Sequence, residues 1–276
     1  SKHFKEFHVI DCKTEIDFGS SVVSFFRTTH SIPDSVGISL KTSEGSIVYT
    51  GDFKFDQTAI PMYQTDFARL SEIGQSGVLA LLSTSSNAEN PATVASELQI
   101  ADEVYDNIRY WEGRIIVAWV ASNLQRLQQV LDAAYRSGRK VVLTGQDFGR
   151  IIKTTMKLGK LTLPDENLLV TLKEMKNYAD EEILILETGQ MGEPIKSLQK
   201  MASGSHRAVR VKDGDLAYIA TTPTIAMETA MAKTEDIIYR AGGTVKTISD
   251  NYRVSGHAGP ADLQFMMNFM KPKYMF

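Results

Sequence analysis

Along the first third of the chain, apolar positions recur at every second residue or in short continuous runs. Phe7-His8-Val9-Ile10, Ser21-Val22-Val23-Ser24-Phe25-Phe26, Val36-Gly37-Ile38-Ser39-Leu40 and Ser46-Ile47-Val48-Tyr49-Thr50 follow this pattern, with polar turn residues between them. A period of two predicts β-strands, and Ser43-Glu44-Gly45 predicts a hairpin joining the last two. Residues 67–74 read as a short helix and 77–82 as a buried strand. From about residue 91 the pattern becomes an alternation of helix and strand. Helical periodicity covers 94–111, 123–137, 229–240 and 260–270; short apolar runs at 114–120, 140–144, 182–186, 216–220 and 244–248 read as strands. Strands alternating with helices predict an α/β fold with a parallel sheet covered on both faces. Ligands in such sheets sit at the carboxyl ends of the strands. Ala121-Ser122-Asn123, Thr188-Gly189-Gln190 and Thr221-Thr222-Pro223 fall there.

The chain has 276 residues, enough for one large or two ordinary domains, and its 43% hydrophobic content suits a sizeable core. A net charge of -3 argues against bulk nucleic-acid binding by a basic surface but leaves room for RNA in a local cleft. Cys12 is the single cysteine, which excludes an internal disulfide and fits a reducing, cytoplasmic compartment. No run of about 18 apolar residues exists, so no membrane partner is expected, and the polar start does not read as a signal peptide. The chain starts with Ser1 rather than Met and stops within the apolar phrase Lys273-Tyr274-Met275-Phe276; the expectation is a fragment of a larger protein.

Three side chains carry candidate chemistry. His30 follows a strand and precedes a Pro-containing loop; Asp52 follows the strand ending Tyr49-Thr50-Gly51; His257 stands in Ser255-Gly256-His257-Ala258-Gly259-Pro260. Imidazole and carboxylate on strand-end loops are the usual parts of a hydrolytic metal site. Small residues beside His257 let backbone N–H groups approach an anion near a helix start. Each also has a plainer reading: a structural histidine at position 30, a turn aspartate at 52, a helix-entry loop around 257. His3, His8 and His206 have no matching partners and read as surface or packing residues. No His-x-His, His-x-Glu-x-x-His or Cys-x-x-Cys occurs, and catalytic zinc normally needs three protein ligands. The residues alone therefore reach an α/β protein with an anion or metal site left open.

Five longer phrases add to this: 25–35 (Phe-Phe-Arg-Thr-Thr-His-Ser-Ile-Pro-Asp-Ser), 50–56 (Thr-Gly-Asp-Phe-Lys-Phe-Asp), 189–194 (Gly-Gln-Met-Gly-Glu-Pro), 201–207 (Met-Ala-Ser-Gly-Ser-His-Arg) and 254–257 (Val-Ser-Gly-His). In this order, and across essentially the whole chain, they closely resemble ribonuclease J, a metallo-β-lactamase-superfamily group with a β-CASP domain for nucleic acids. The resemblance implies a partial metallo-β-lactamase αββα sandwich over 1–95, an inserted β-CASP domain over 96–240 and a return to the first domain over 241–276, with RNA in the cleft between them. It implies His30 and Asp52 as metal ligands, Asp52 bridging. His257 would stabilise charge or donate a proton at the scissile phosphate. Ser255, Gly256, His257 and Thr222 would contact the RNA phosphate. Two divalent ions, zinc or manganese, would activate the water that cuts single-stranded RNA, from a 5′ monophosphate or internally.

The chain departs from the pattern. The family's His-x-His-x-Asp-His motif would lie upstream of Ser1, and its last metal histidine just after Phe276. Thr84 stands where an acid is normal, Arg253 where a histidine is common, and Thr224-Ile225-Ala226-Met227-Glu228 replaces Ile-Pro-Gly-Asn-Glu. These internal changes resemble the catalytically weak second paralogue of Gram-positive bacteria, which pairs with the active ribonuclease J. Two roles follow: a metal-dependent ribonuclease of weak activity, or a non-catalytic partner that stabilises the active paralogue in a homo- or hetero-oligomer. A small-molecule hydrolase is disfavoured by the large helical insertion. With His30 and Asp52 as the only metal ligands the resemblance implies within it, this chain by itself is expected to lack the metal pair and leave RNA uncut.

Overall fold

A computed structural model of the chain describes residues 6–91, 94–120, 122–145, 148–189, 193–220, 227–248 and 254–276. The backbone divides into two compact units, Ser1–Ser96 with Ser255–Phe276, and Glu97–Val254.

In the first unit, β1 (Glu15–Asp17), β2 (Val22–Arg27), β3 (Val36–Thr42) and β4 (Gly45–Tyr49) form an antiparallel run. Helix α1 (Phe67–Gln75) leads to β5 (Val78–Leu82), which pairs parallel with β4. Far later in the chain, helix α7 (Pro260–Met270) delivers β12 (Tyr274–Met275) parallel to β5. The Thr42–Gly45 turn closes the predicted hairpin: Thr42 Oγ1 donates to the Gly45 carbonyl at 2.7 Å. Residues 7–10 are irregular rather than the expected strand, with Phe7 and Val9 exposed; β1 occupies the position beside β2 instead.

Period-two alternation gives this sheet two different faces. Phe26, Val48, Val78 and Leu81 pack on Leu70 and Ile73 of α1 and on Met266 and Met270 of α7. The two helices meet closely at Gly74, where a Cβ would stand 2.0 Å from the Phe269 carbonyl oxygen. On the other face the register aligns Ile38, Tyr49 and Leu82 in one row and Leu40, Ile47, Ala80 and Tyr274 in the next. Cross-strand neighbours point the same way, so these residues make an apolar band; Tyr49 and Tyr274 are each 52% exposed.

The second unit holds α2 (Glu97–Arg109), β6 (Ile115–Val120), α3 (Leu124–Arg136), β7 (Lys140–Thr144), α4 (Phe148–Lys157), β8 (Leu169–Val170), β9 (Ile183–Gly189), α5 (Glu193–Ala202), β10 (Leu216–Ile219), α6 (Glu228–Arg240) and β11 (Thr244–Thr247). Its six strands run in the order β11-β10-β6-β9-β7-β8, all parallel. This is the predicted α/β layer, with Ile116, Ala118, Ile183, Ile185, Ala217 and Ile219 buried against Ile195, Leu198 and Met201 of α5 and Met231 and Ile238 of α6. Asn123 caps α3 by accepting from Arg126 N–H at 2.9 Å. Arg114 grips Asp215 with two hydrogen bonds, 3.0 and 2.6 Å, tying β6 to β10. Arg126 is fully buried, and among the described residues neither Nε nor Nη1 has a hydrogen-bond partner.

The sequence reading returned the chain to the first domain near residue 241. Because β11 hydrogen-bonds to β10, residues 244–247 belong to the second unit and the return falls at Ser255. Helix α4 had no counterpart in the periodicity reading.

Candidate functional site

The first unit gathers His30, Asp52 and His257 from three separate stretches. Strand β2 ends at Arg27, and the next residues are fixed before His30 is reached. Thr28 N–H donates to Ser35 O at 2.9 Å, and Thr29 N–H donates to Thr65 Oγ1 at 3.1 Å. A bridge joins Thr29 to Lys54, and Thr28 Oγ1 donates to the Asp52 carbonyl at 3.3 Å. The loops after β2 and β4 are thus locked together. Gly51 turns the chain into the second loop with φ +61, and a Cβ there would lie 3.1 Å from the Val36 carbonyl oxygen; only glycine suits both conditions.

His30 Nδ1 lies 2.9 Å from the Gly256 carbonyl oxygen. A carbonyl only accepts, so Nδ1 carries the proton and, in the neutral ring, Nε2 keeps its lone pair. That nitrogen faces Ser31 Oγ at 3.2 Å and Asp52 Oδ2 at 3.9 Å. Burial pushes the His30 pKa below its ordinary value, opposed by the Gly256 hydrogen bond and the Asp52 charge. The imidazole is neutral at pH 7. Orientation of a histidine by its second N–H on a backbone carbonyl is the usual arrangement of a metal ligand.

His257 approaches the same carboxylate from the other side, with Nδ1 3.4 Å from Asp52 Oδ1 and the two imidazole centroids 5.4 Å apart. This Nδ1 is buried and, among the described residues, makes no hydrogen bond. The surrounding loop is held by its neighbours. Ser255 Oγ accepts from His257 N–H at 3.0 Å and donates to the His257 carbonyl at 3.3 Å, so the Ser255 hydroxyl shapes the turn. A Cβ on Gly256 would be 3.3 Å from the His30 ring, so glycine admits the imidazole. Asn87 Nδ2 donates to the His257 carbonyl at 3.4 Å, and Asp262 accepts from Gly259 N–H at 3.0 Å at the start of α7.

Thr84 follows β5, the neighbour of β4, and its N–H donates to Thr50 Oγ1 at 3.4 Å in the loop that leads to Asp52. Thr222 and Arg253 lie outside the described residues. Sequence reasoning passed over Asn87 and Asp262; only the second had a local signal, an acid two residues after Pro260, where helix-start acceptors occur.

The donor chemistry suits part of a divalent-metal shell: the Nε2 lone pair of His30 and the Asp52 carboxylate. It is short of a two-metal centre, and among the described residues no three His, Cys, Asp or Glu side chains are gathered closely enough to cage an ion.

Residues 112–237 match the family described as ribonuclease J, beta-CASP domain. Over its full length the chain is 56% identical to ribonuclease J 2 of Streptococcus pyogenes serotype M3, covering 50% of that protein. Over 96% of the chain it is 43% identical to ribonuclease J2 of Bacillus subtilis, covering 48% of it. The chain belongs to the ribonuclease J family. Ribonuclease J 2 of Staphylococcus epidermidis is a further relative, 38% identical over 97% of the chain. The chain spans about half the length of these curated relatives. A solved structure, that of a protein of unknown function from Enterococcus faecalis V583, superposes on 99% of the chain with TM-score 0.67 at 14% identity and shares the fold alone. The β-CASP match runs from just before β6 through most of α6. The two-sheet α/β architecture accords with a partial metallo-β-lactamase-type fold carrying that domain.

Proposed function

We propose that this chain is part of a ribonuclease J subunit that processes and degrades single-stranded RNA from its 5′ end by metal-dependent phosphodiester hydrolysis, with weak activity. The observation that carries this reading is the Asp52 carboxylate set between His30 Nε2 and His257 Nδ1. His30 and Asp52 would hold divalent metal, zinc or manganese, completed by ligands elsewhere in the longer protein. Bound there, such ions would supply the Lewis acidity the hydrolysis needs. The hydrogen bond to Gly256 keeps His30 in the ligating tautomer. His257, 40% exposed at its side chain, would present its imidazole to the scissile phosphate and hold a proton for it. Backbone N–H groups around Ser255, Gly256 and His257, with Thr222, would receive the phosphate. RNA turnover implies a cytoplasmic setting; no helix among the described residues is long and apolar enough to cross a membrane.

A second reading, a non-catalytic partner of an active ribonuclease J paralogue in a hetero-oligomer, is favoured by Thr84, which puts a neutral hydroxyl at the end of β5 where the family has an acid. Elemental mass spectrometry of the full-length protein, purified without added metal, separates the two. About two zinc or manganese ions per chain, together with cleavage of 5′-monophosphorylated RNA that rises in Thr84→Asp, supports the enzyme. A folded, metal-free and inactive protein supports the partner.

A further inference from the structure

The helix that Asp262 starts explains only part of what this carboxylate does. As the third residue of α7 it accepts from Gly259 N–H at 3.0 Å, half of a capping pair. An amide caps as well: Gln serves at this helix position alongside Glu, and Asn offers the same oxygen. Yet Asp262 is half-buried, and burial pushes its pKa up, so the ionised side chain carries a desolvation cost that an amide would avoid.

The remaining contacts of Asp262 reach across the site. Phe55 N–H, in the loop that follows Asp52, is a second backbone donor to this carboxylate, and the Lys54 ammonium favours its ionised form against the opposing charge of Asp56. Lys54 and Asp56 are themselves a buried ion pair, 3.4 Å apart. The Phe55 ring is seated on the same helix, edge-on to Phe265 with centroids 5.4 Å apart. One carboxylate thus takes an N–H two residues after His257 and another three residues after Asp52. An ionised carboxylate offers these donors two oxygens and a charge. An amide has one oxygen, no charge, and an NH2 that repels a facing N–H.

Asp52 and His30 are joined without this contact, through Thr28 Oγ1 on the Asp52 carbonyl and the bridge from Thr29 to Lys54. The Gly256 carbonyl on His30 Nδ1 fixes the chain just before His257. Asp262 fixes it just after, against the Asp52 loop. We infer that Asp262 is a positioning residue: it clamps the loop of Asp52 to the loop of His257 and so sets the His257 imidazole against the Asp52 carboxylate. Its effect on turnover rests on the reading of the chain as part of a metal-dependent ribonuclease; the clamp does not.

Asp262→Asn tests this, because a helix cap survives the change and the clamp does not. In the 276-residue chain, amide hydrogen exchange followed by NMR should leave Gly259 as protected as in the parent, while Phe55 exchanges faster by about tenfold or more. The His257 ring resonances should broaden or split as the imidazole loses its single setting. In the full-length protein, bound zinc or manganese should match the parent. Turnover of 5′-monophosphorylated RNA should fall in kcat by about tenfold or more, with KM within about twofold. Phe55 protected as in the parent overturns the inference. So does a variant that exchanges faster throughout α1 and α7 and melts well below the parent, which would make Asp262 a structural cap. A full-length parent that cuts no RNA overturns the enzymatic reading instead, and the Phe55 and Gly259 amides still decide the clamp.

Discussion

Gly74 gives a prediction whose sign opposes intrinsic helix propensity. Replacing glycine by alanine inside a helix ordinarily stabilises by up to about 1 kcal/mol. At Gly74 the added Cβ would stand 2.0 Å from the Phe269 carbonyl oxygen, and backbone cannot swing away as a side-chain tip can. Helices α1 and α7 must part by about an ångström, and a gap of that size forfeits a quarter to a half of the dispersion well for the atoms facing it. The seam it opens holds Leu70, Ile73, Met266 and Met270, all buried. Overpacking of this kind costs about 3 kcal/mol at the upper end, so after the propensity gain Gly74→Ala should destabilise the first unit by about 2 kcal/mol. With a urea m-value of about 2 kcal/mol/M, the midpoint falls by about 1 M. The readout must be local: both tryptophans, Trp111 and Trp119, lie in the second unit, so their fluorescence would miss the event. Hydrogen exchange in urea, followed on peptides covering 67–75 and 260–270, reads the right unit. Gly149→Ala supplies the control, since nothing lies within 4 Å of its Cβ position in α4; it should stabilise by about 0.5 kcal/mol. A Gly74→Ala protein as stable as the parent would refute the close crossing of α1 and α7.

Arg126→Met removes a guanidinium with two unpartnered nitrogens while keeping most of the apolar stem; each buried donor left unpaired costs about 1–3 kcal/mol, so a gain of about 2 kcal/mol is expected from urea unfolding followed by Trp119 emission, and a loss would mean that the charge is compensated. Burial raises the Asp262 pKa, so its folded form favours the proton: its contribution is present below the unfolded aspartate range and lost as pH rises through the folded value. Asp262→Asn keeps an acceptor for Gly259 N–H and should gain stability relative to the parent as pH climbs from that range toward neutrality, in melts at stepped pH; a constant difference would argue against the burial effect. Asp52→Asn in the full-length protein should cut bound zinc or manganese to less than half while the melting temperature of the metal-free form stays put; unchanged metal content would remove Asp52 from the ligand set. Tyr49→Thr/Tyr274→Thr breaks the exposed apolar band and should raise the concentration at which the 276-residue chain stays monomeric in light scattering; unchanged self-association would show the band to be inert.

Local pattern made much of the fold readable. Alternation identified β2, β3 and β4, and apolar runs identified β6, β7, β9 and β10, because a half-buried or fully buried strand writes its environment into consecutive residues. The same logic failed at 7–10, where an apolar run lies exposed. At β11 it found the strand, but the resemblance placed that strand in the first domain; its Thr-Val-Lys-Thr sequence suits an edge strand in either sheet, and only its hydrogen bonds to β10 decide. Helix α4 was missing from the periodicity reading although Phe148, Ile151 and Ile152 recur at helical spacing. At the site, the residue types were visible but their meeting was not. The His30–Gly256 hydrogen bond joins residues 226 positions apart, and no local period encodes such a contact. The phrases resembling ribonuclease J assigned His30, Asp52 and His257 to one site by family likeness, not by any local pattern.

The chain leaves the first unit at Ser96 and re-enters it at Ser255, and within that unit Val94 lies against Gly259, with 3.9 Å from the Val94 side chain to the Cβ position of Gly259. The exit and the re-entry are therefore stapled together around an excursion of roughly 160 residues, whose closure as a disordered loop would cost on the order of 4–5 kcal/mol beyond a length-independent constant. A folded insertion removes most of that entropy before the ends meet. During synthesis, His257 and the last strand of the first sheet cannot arrive until the whole insertion has emerged, so the first unit closes its sheet last.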